Sequence, residues 1–438
     1  MTRIAHIPVP QFKRIVIIGA GFAGLKLARS LFNSGYQVVI IDKNNYHQFQ
    51  PLFYQVATAG LEPSAISFPL RILFQKQKRF HFRIAELLEI NPDKKIITTT
   101  IGELNYDYLV IAAGGTTNFF GNIDIEKHAF TMKSVSDAIL IRNTILENYE
   151  KALNHTNQEK MAAYLNMVIV GGGPTGVELA GALAEMKKNI LPKDYPELDF
   201  NLMKIHLFEA AGNLLSGMSE KSGARALEYL HRLDVDVKLN TQVVDASNGE
   251  VLLKDGSVHR THTLIWAAGV KAINMKGLPG STLGHAGRLL VDEFNKILGT
   301  TNLFAIGDIC LMQNETTPKG HPQVAQVAIQ QAKNLAKNLR NEKACKSWQK
   351  FVYKDKGSLA TVGHNLAVAD LPGMHFNGFV AWVLWSAVHL MSIIGVKNRF
   401  FIMWDWIWNY FSYNQTLRLL IKLKIKKEQD DLNQLDKQ

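Results

Sequence analysis

The chain has 438 residues, a formal charge of +11 and 47% hydrophobic residues. That length holds two or three domains with cores, and the composition excludes a disordered polymer. Its two cysteines, Cys310 and Cys345, form no CxxC pair or zinc-spaced cluster, so a disulfide scaffold, a redox dithiol and a metal site are not expected.

Arg3, Lys13 and Arg14 precede an apolar run that begins at Ile15. A signal peptide would place a small-residue cleavage site after such a run. Here the run enters glycines and then Lys26 and Arg29, so it reads as a strand and helix of the mature protein. "RIVIIGAGFAGLKLARSL" is a β-branched run, then Gly19-x-Gly21-x-x-Gly24, then a helical pattern. The next strand, "YQVVIID", ends in Asp42, eighteen residues after Gly24. This is the dinucleotide-binding βαβ pattern. Gly19 turns the chain, Gly21 admits a pyrophosphate to the backbone, and Gly24 lets helix and strand approach. Asp42 is placed to hold a ribose.

"YDYLVIAAGG" is a strand that ends in the small residues Ala113 and Gly114, as at a close approach to a cofactor. "LENYEKALNHTNQEKMAAYLN" reads as a polar helix and loop. The fingerprint then repeats in "NMVIVGGGPTGVELAGALAEM", with Gly171, Gly173 and Gly176. Its acidic partner is Glu209, at the end of "KIHLFEA". The spacing of 33 residues is long, and an insertion around "KKNILPKDYPELDFNL" accounts for it. An acidic residue at this place favours NAD over NADP. Two fingerprints predict two dinucleotides, such as a flavin facing a nicotinamide. "LIWAAGV" and "TNLFAIGDI" are further strands with small or acidic ends. Asp308 is placed to bind a ribityl chain or to close an ordinary turn.

Five of the seven tryptophans fall between Gly378 and Phe411. Lys397, Arg399, Arg418, Lys422, Lys424, Lys426 and Lys427 lie among or after them. Tryptophan prefers the membrane interface and basic residues prefer anionic headgroups. Residues 378–427 therefore predict a pair of amphipathic helices lying on an anionic membrane surface. A buried helix or a dimer interface is the competing use. The positive charge gathers here, which gives no support to nucleic-acid binding.

GAGFAG, Asp42, IAAGG, GGGPTGVELAG, WAAGV and AIGD together resemble the two-dinucleotide flavoprotein reductases. With "FQPLFYQVATAGLEPSAISFPLR", "HPQVAQVAIQQAKNLAKNL" and the tryptophan-rich end, the chain is similar to the type II NADH dehydrogenases, from about Arg14 to about Leu420. The fold expected is α/β, with two Rossmann-like domains and a C-terminal amphipathic helical membrane-anchoring region. The division expected is 1–120 with 285–345 for FAD, 121–284 for NADH, and 346–438 for anchoring. The resemblance implies transfer of two electrons from NADH through non-covalent FAD to a quinone, without proton pumping. The location it implies is the cytoplasmic face of a bacterial inner membrane.

The resemblance also implies site residues. FAD would lie along Gly19, Ala20, Gly21, Phe22, Ala23 and Gly24, with Asp42, Lys43, His47, Leu87, Ala113, Gly114, Asp308 and Ala325. NADH would lie on Gly171, Gly173, Gly176 and Glu209. Glu178 matches the family's acidic residue near the nicotinamide, although a helix first turn favours an acid in any case. Gln326 and Gln330 share a helix face and match the quinone side. The rival readings are a sulfide:quinone oxidoreductase, which would need reactive cysteines, and another pyridine-nucleotide-linked flavoprotein reductase.

Overall fold

The computed structural model describes residues 2–315, 317–412 and 417–420. Lys422 through Lys427, part of the predicted basic anchor, lie outside the described residues. The chain opens with strand β1 (Arg14–Ile18), helix α1 (Phe22–Ser30) and strand β2 (Gln37–Asp42). A short helix α2 (Phe53–Ala57) precedes β3 (Phe80–Ile84) and β4 (Tyr108–Ile111). Helix α3 (Val135–Ala152) leads to β5 (Met167–Val170), α4 (Pro174–Asn189), β6 (Ile205–Phe208), α5 (Glu220–Arg232), β7 (Val235–Lys238) and β8 (Thr263–Trp266). Then come β9 (Leu303–Ala305) and α6 (Ala325–Lys343). The C-terminal region holds β10 (Ser358–Gly363), β11 (Leu366–Leu371), β12 (Met374–Asn377), α7 (Gly378–Ser392) and α8 (Val396–Ser412).

The continuous apolar runs make strands buried on both faces, as parallel sheets require. The first sheet has the order β9-β4-β1-β2-β3, all parallel. The second is β7-β6-β5-β8, also all parallel. In each sheet the strand that carries the glycine loop has neighbours on both sides. The crevice at its carboxyl end is the place where doubly wound sheets bind ligands. A two-stranded antiparallel ribbon, Gly115–Thr117 with Val270–Ala272, ties the end of β4 to the end of β8.

β10, β11 and β12 form an antiparallel sheet that lies on α4. The approach is close at Gly181, where a Cβ would stand 1.5 Å from the Val362 carbonyl oxygen. Ala360, Val362, Trp385 and Ile402 join the core built on Val177, Leu179 and Ala180 of α4. The C-terminal region is thus continuous with the core of the second unit.

Helices α7 and α8 each have two faces. Ala381, Trp385 and His389 recur every four residues on α7, and Ile402, Trp406 and Tyr410 do so on α8. These six point toward the protein: Trp385 is 2% exposed, and the Trp406 indole N–H donates to Gln55 Oε1 at 2.9 Å. Trp404 and Trp408 are 55% and 54% exposed. Two residues along a helix turn about 200°, which puts them opposite Trp406. Phe379, Val383, Met391, Phe400 and Phe411 extend this outward apolar face. Among the described residues no helix is long and apolar enough to cross a membrane.

Candidate functional site

The two glycine loops repeat one geometry. Gly19 has φ +96°, and a Cβ there would lie 2.5 Å from the Ala112 carbonyl oxygen. Gly171 has φ +113°, and its Cβ would lie 2.8 Å from the backbone at Ala267 and Ala268. A Cβ on Gly24 would be 1.9 Å from the Gly19 oxygen, and one on Gly176 1.9 Å from the Gly171 oxygen. At Gly21 and Gly173 a Cβ would meet nothing within 4 Å. Each loop therefore closes its strand–helix turn with two glycines and leaves open space at the third, where a pyrophosphate fits. The helices that start at these loops, and α6, have no side-chain cap at Gly21, Gly173 or Val324. α3 and α5, by contrast, are capped by Ser134 and Ser219. The uncapped N–H groups stay free for a ligand, with the positive end of the helix behind them.

The acidic partners repeat as well. Asp42 accepts from the Ala20 N–H at 2.6 Å and from the Asn44 N–H at 2.8 Å. Glu209 accepts from the Gly172 N–H at 2.5 Å and from the Ala211 N–H at 2.7 Å. Each carboxylate binds the second residue of its glycine loop and the residue two past itself. The insertion before β6 shifts the spacing and leaves this geometry intact, so Glu209 is the counterpart of Asp42. Burial pushes the Asp42 carboxyl above its ordinary value, and the two N–H donors oppose that.

The remaining first-cradle residues divide into two groups. His47 is buried behind the loop, with Nδ1 3.0 Å from the Ala20 oxygen and its ring edge-on to Phe22. Lys43 follows Asp42 directly, and Leu87 begins a short strand, Leu87–Asn91, beyond β3. Ala23 packs against Gly307, beside Asp308. Gly114, at φ +73°, precedes the linking ribbon, and Asp308 stands next to it across Gly115. Burial raises the Asp308 carboxyl, partly offset by Lys133 and Arg288.

Gln326 and Gln330 share a face of α6 as expected, but their amides are engaged. Gln326 donates to the Gly357 oxygen at 2.8 Å and accepts from the Lys356 N–H at 3.2 Å. Gln330 donates to the Lys354 oxygen at 2.9 Å and accepts from the Lys354 N–H at 3.0 Å. They clamp the segment that runs into β10.

Glu178 lies past the first turn of α4 and is buried, so the helix dipole does not account for it. Its Oε1 accepts from the Thr361 N–H and from the Trp385 indole N–H, both at 3.3 Å. Burial pushes its pKa up to about 8. Two turns along the same face, Glu185 accepts from the His364 N–H and is pushed by burial to about 7. Both carboxyls line a cavity of about 140 Å³ with Tyr54, Thr361, His364, Trp385 and Trp406. Sequence reading missed Glu185, Tyr54, Thr361 and His364. The seven-residue spacing of Glu178 and Glu185 was the one available signal, since it puts two acids on one helix face.

The cysteines offer no redox pair. Cys310 is buried against Gln331 and Asn295, and burial pushes its thiol to about 11. Cys345 is exposed past the far end of α6, roughly 20 Å along the helix from Gln331. The sulfide:quinone reading therefore lacks its reactive cysteines.

Residues 13–332 match the pyridine nucleotide-disulphide oxidoreductase family, and residues 356–412 match the NDH2 C-terminal domain. A type II NADH:quinone oxidoreductase of Mycobacterium tuberculosis is 34% identical over an alignment of 418 residues that covers 92% of this chain and 89% of that one. The type II NADH:quinone oxidoreductase of Haemophilus influenzae is 29% identical, over 82% of this chain and 87% of its own. The structure of NDH2 from Plasmodium falciparum in complex with NADH covers 94% of this chain and 100% of its own, with a TM-score of 0.87 at 24% identity. The sulfide:quinone oxidoreductase of Aquifex aeolicus shares the fold less closely, with a TM-score of 0.70 at 18% identity over 92% of this chain and 96% of its own. The paired cradles, the C-terminal sheet and the two amphipathic helices are thus the parts of one known architecture, and the chain belongs to the type II NADH:quinone oxidoreductases.

Proposed function

We propose that the protein moves two electrons from NADH through non-covalent FAD to a quinone, at a membrane surface and without pumping protons. The observation that carries this reading is the pair of matching cradles, tied strand end to strand end by the ribbon of Gly115–Thr117 and Val270–Ala272. It brings the chain beyond the carboxyl ends of β4 and β8 together. The first cradle would hold FAD, with Asp308 at the ribityl chain, and the second would hold NADH. This assignment keeps the division 1–120 with 285–345, 121–284, and 346–438.

Bound FAD supplies the capacity to accept a hydride and release electrons. The protein's own groups bind, orient and shield. The amides at Gly21 and Gly173 meet the pyrophosphates. The Glu209 carboxylate would hold the adenosine ribose of NADH and repel the 2′-phosphate of NADP. The quinone ring enters the aromatic cavity beside Glu178, between α4 and the C-terminal helices α7 and α8. Gln326 and Gln330 serve that site by fixing residues 354–357, and through them β10 with Thr361. The outward face of α7 and α8 attaches to an anionic bilayer, on the cytoplasmic side of an inner membrane. A homodimer through the same face is the competing use, and liposome binding separates the two.

Stopped-flow absorbance tests the proposal. The purified yellow protein should bleach with NADH and recover its colour on mixing with quinone. A flavin that NADH does not reduce, or that quinone does not reoxidise, would overturn it.

A further inference from the structure

The reaction proposed above has a proton requirement. NADH gives up two electrons and one proton as hydride. A quinone that becomes a quinol gains two electrons and two O–H bonds. One further proton must come from water for each turnover.

The cavity between α4 and the C-terminal helices holds two carboxyls, Glu178 and Glu185. They are separated by two turns, a rise of about 10 Å along the helix. Glu178 is the inner one, tied to Trp385 and to the Thr361 backbone. Glu185 is tied to the His364 backbone, and His364 stacks on Tyr410 at 4.3 Å, on the side of α8. The polar groups of Thr361, Ser386 and Asn409 line the space with the two acids. A volume of about 140 Å³ accommodates a few waters, and these lining groups can bond them.

We propose that Glu185 is the proton-uptake group of the quinone half-reaction, relaying protons from solvent through cavity water to Glu178. In the step, a Glu178 O–H bond breaks as the new quinol O–H bond forms. Glu185 then gives its proton along the water chain to the Glu178 carboxylate. A solvent water restores Glu185, and no electrons move in the relay. The inference rests on the quinone reading above.

Among the described residues, the charged and titratable groups that face Glu185 are few. Glu178 and Lys188 come from its own helix, Tyr54 from α2, His364 from the C-terminal sheet, and Tyr410 from α8. Lys188 favours the carboxylate, and burial outweighs it. The carboxyl therefore loads and unloads near neutral pH, as a relay needs.

The test is stopped-flow on the holoenzyme, with flavin reduction and reoxidation followed separately. Glu185→Gln should leave reduction by NADH unchanged and slow reoxidation by a short-chain quinone about 10- to 100-fold. Formate should restore part of that rate, and Glu185→Asp should retain most of it. The wild-type reoxidation rate should fall as pH rises above about 7, and the Glu185→Gln rate should lose that dependence. Wild-type reoxidation by quinone with an unchanged Glu185→Gln rate would overturn the relay alone. A Glu185→Gln protein slowed equally in both half-reactions, with no rescue by formate, would assign Glu185 a purely structural role. A wild type that quinone does not reoxidise would overturn the parent reading instead.

Discussion

Glu178 spends its burial on two hydrogen bonds and a raised pKa. Its folded value of about 8 lies above its ordinary value of 4.5. The neutral form is favoured in the fold, so its contribution to stability is full below about pH 4.5. That contribution is lost progressively as pH rises through about 8. Thermal unfolding should therefore give a lower midpoint at pH 8.5 than at pH 6.5. Glu178→Gln should flatten that slope, and an unchanged slope would remove Glu178 as its source. His389 acts in the opposite window. Burial lowers its pKa to about 4 from 6.5, so its contribution is lost as pH falls through that range and does not disturb the alkaline test. Glu209 is the second residue with a direct consequence. Glu209→Gln should narrow the preference in kcat/KM for NADH over NADPH about tenfold, because one repulsive charge of roughly 1–2 kcal/mol is removed. Equal wild-type kcat/KM for the two cofactors would sink the assignment. Asp42 was legible at once because its spacing is ordinary. Glu209 repeats the bonding of Asp42 through Gly172 and Ala211, a likeness that its long spacing of 33 residues does not reveal.

At the level of elements, both βαβ units were legible from the sequence. A β-branched run, a glycine triplet and an acidic strand end are local features that short-range sterics determine. The docking of β10 on α4 was not legible, because it depends on two segments some 180 residues apart. Gly181 records that contact. In an isolated helix, glycine to alanine stabilises by about 1 kcal/mol. Here the added methyl would meet the Val362 carbonyl, so Gly181→Ala should destabilise by about 1–3 kcal/mol instead. Chemical denaturation measures the sign, and a stabilised variant would mean that β10 shifts away freely. The glutamines of α6 teach the same lesson. Their shared face follows from helix periodicity. Their commitment to residues 354–357 follows from where that segment crosses. Gln330→Ala should slow flavin reoxidation by quinone and leave reduction by NADH nearly unchanged, because the proposed quinone site depends on that clamp of residues 354–357. Stopped-flow traces showing the reverse order would place these glutamines elsewhere.

For the whole molecule, the outward apolar face of α7 and α8 sets how the protein meets its surroundings. Phe400, Trp404, Trp408 and Phe411 are exposed together, and a soluble monomer rarely leaves so large a patch bare. Replacing Trp404 and Trp408 with alanine should weaken co-sedimentation with anionic liposomes and leave the core intact, because neither side chain is buried. Turnover with a short-chain quinone should persist in this variant, and turnover with a long-tailed quinone in the bilayer should fall. High salt should release the wild type only in part, since it screens the basic residues, worth about 1 kcal/mol each, and leaves the aromatic contribution. Full co-sedimentation of the double variant would hand the face to a dimer contact. The inward pair, Trp385 and Trp406, should behave differently, with loss of stability in place of loss of membrane.

The sequence by itself determined the two nucleotide-binding units, their order, the acidic strand end of the first and the presence of an aromatic, basic end. These rest on near-neighbour geometry: where a chain can turn, which face of a strand is apolar, how closely a helix can approach. The tertiary structure alone decided which tryptophans turn inward, that the C-terminal sheet shares its core with α4, and that Glu178 and Glu185 face one cavity. The physical reason is distance along the chain. A buried carboxyl acquires its character from groups that the fold brings to it, here Thr361, His364 and Trp385 from 179 to 207 residues away, and no local pattern encodes their arrival.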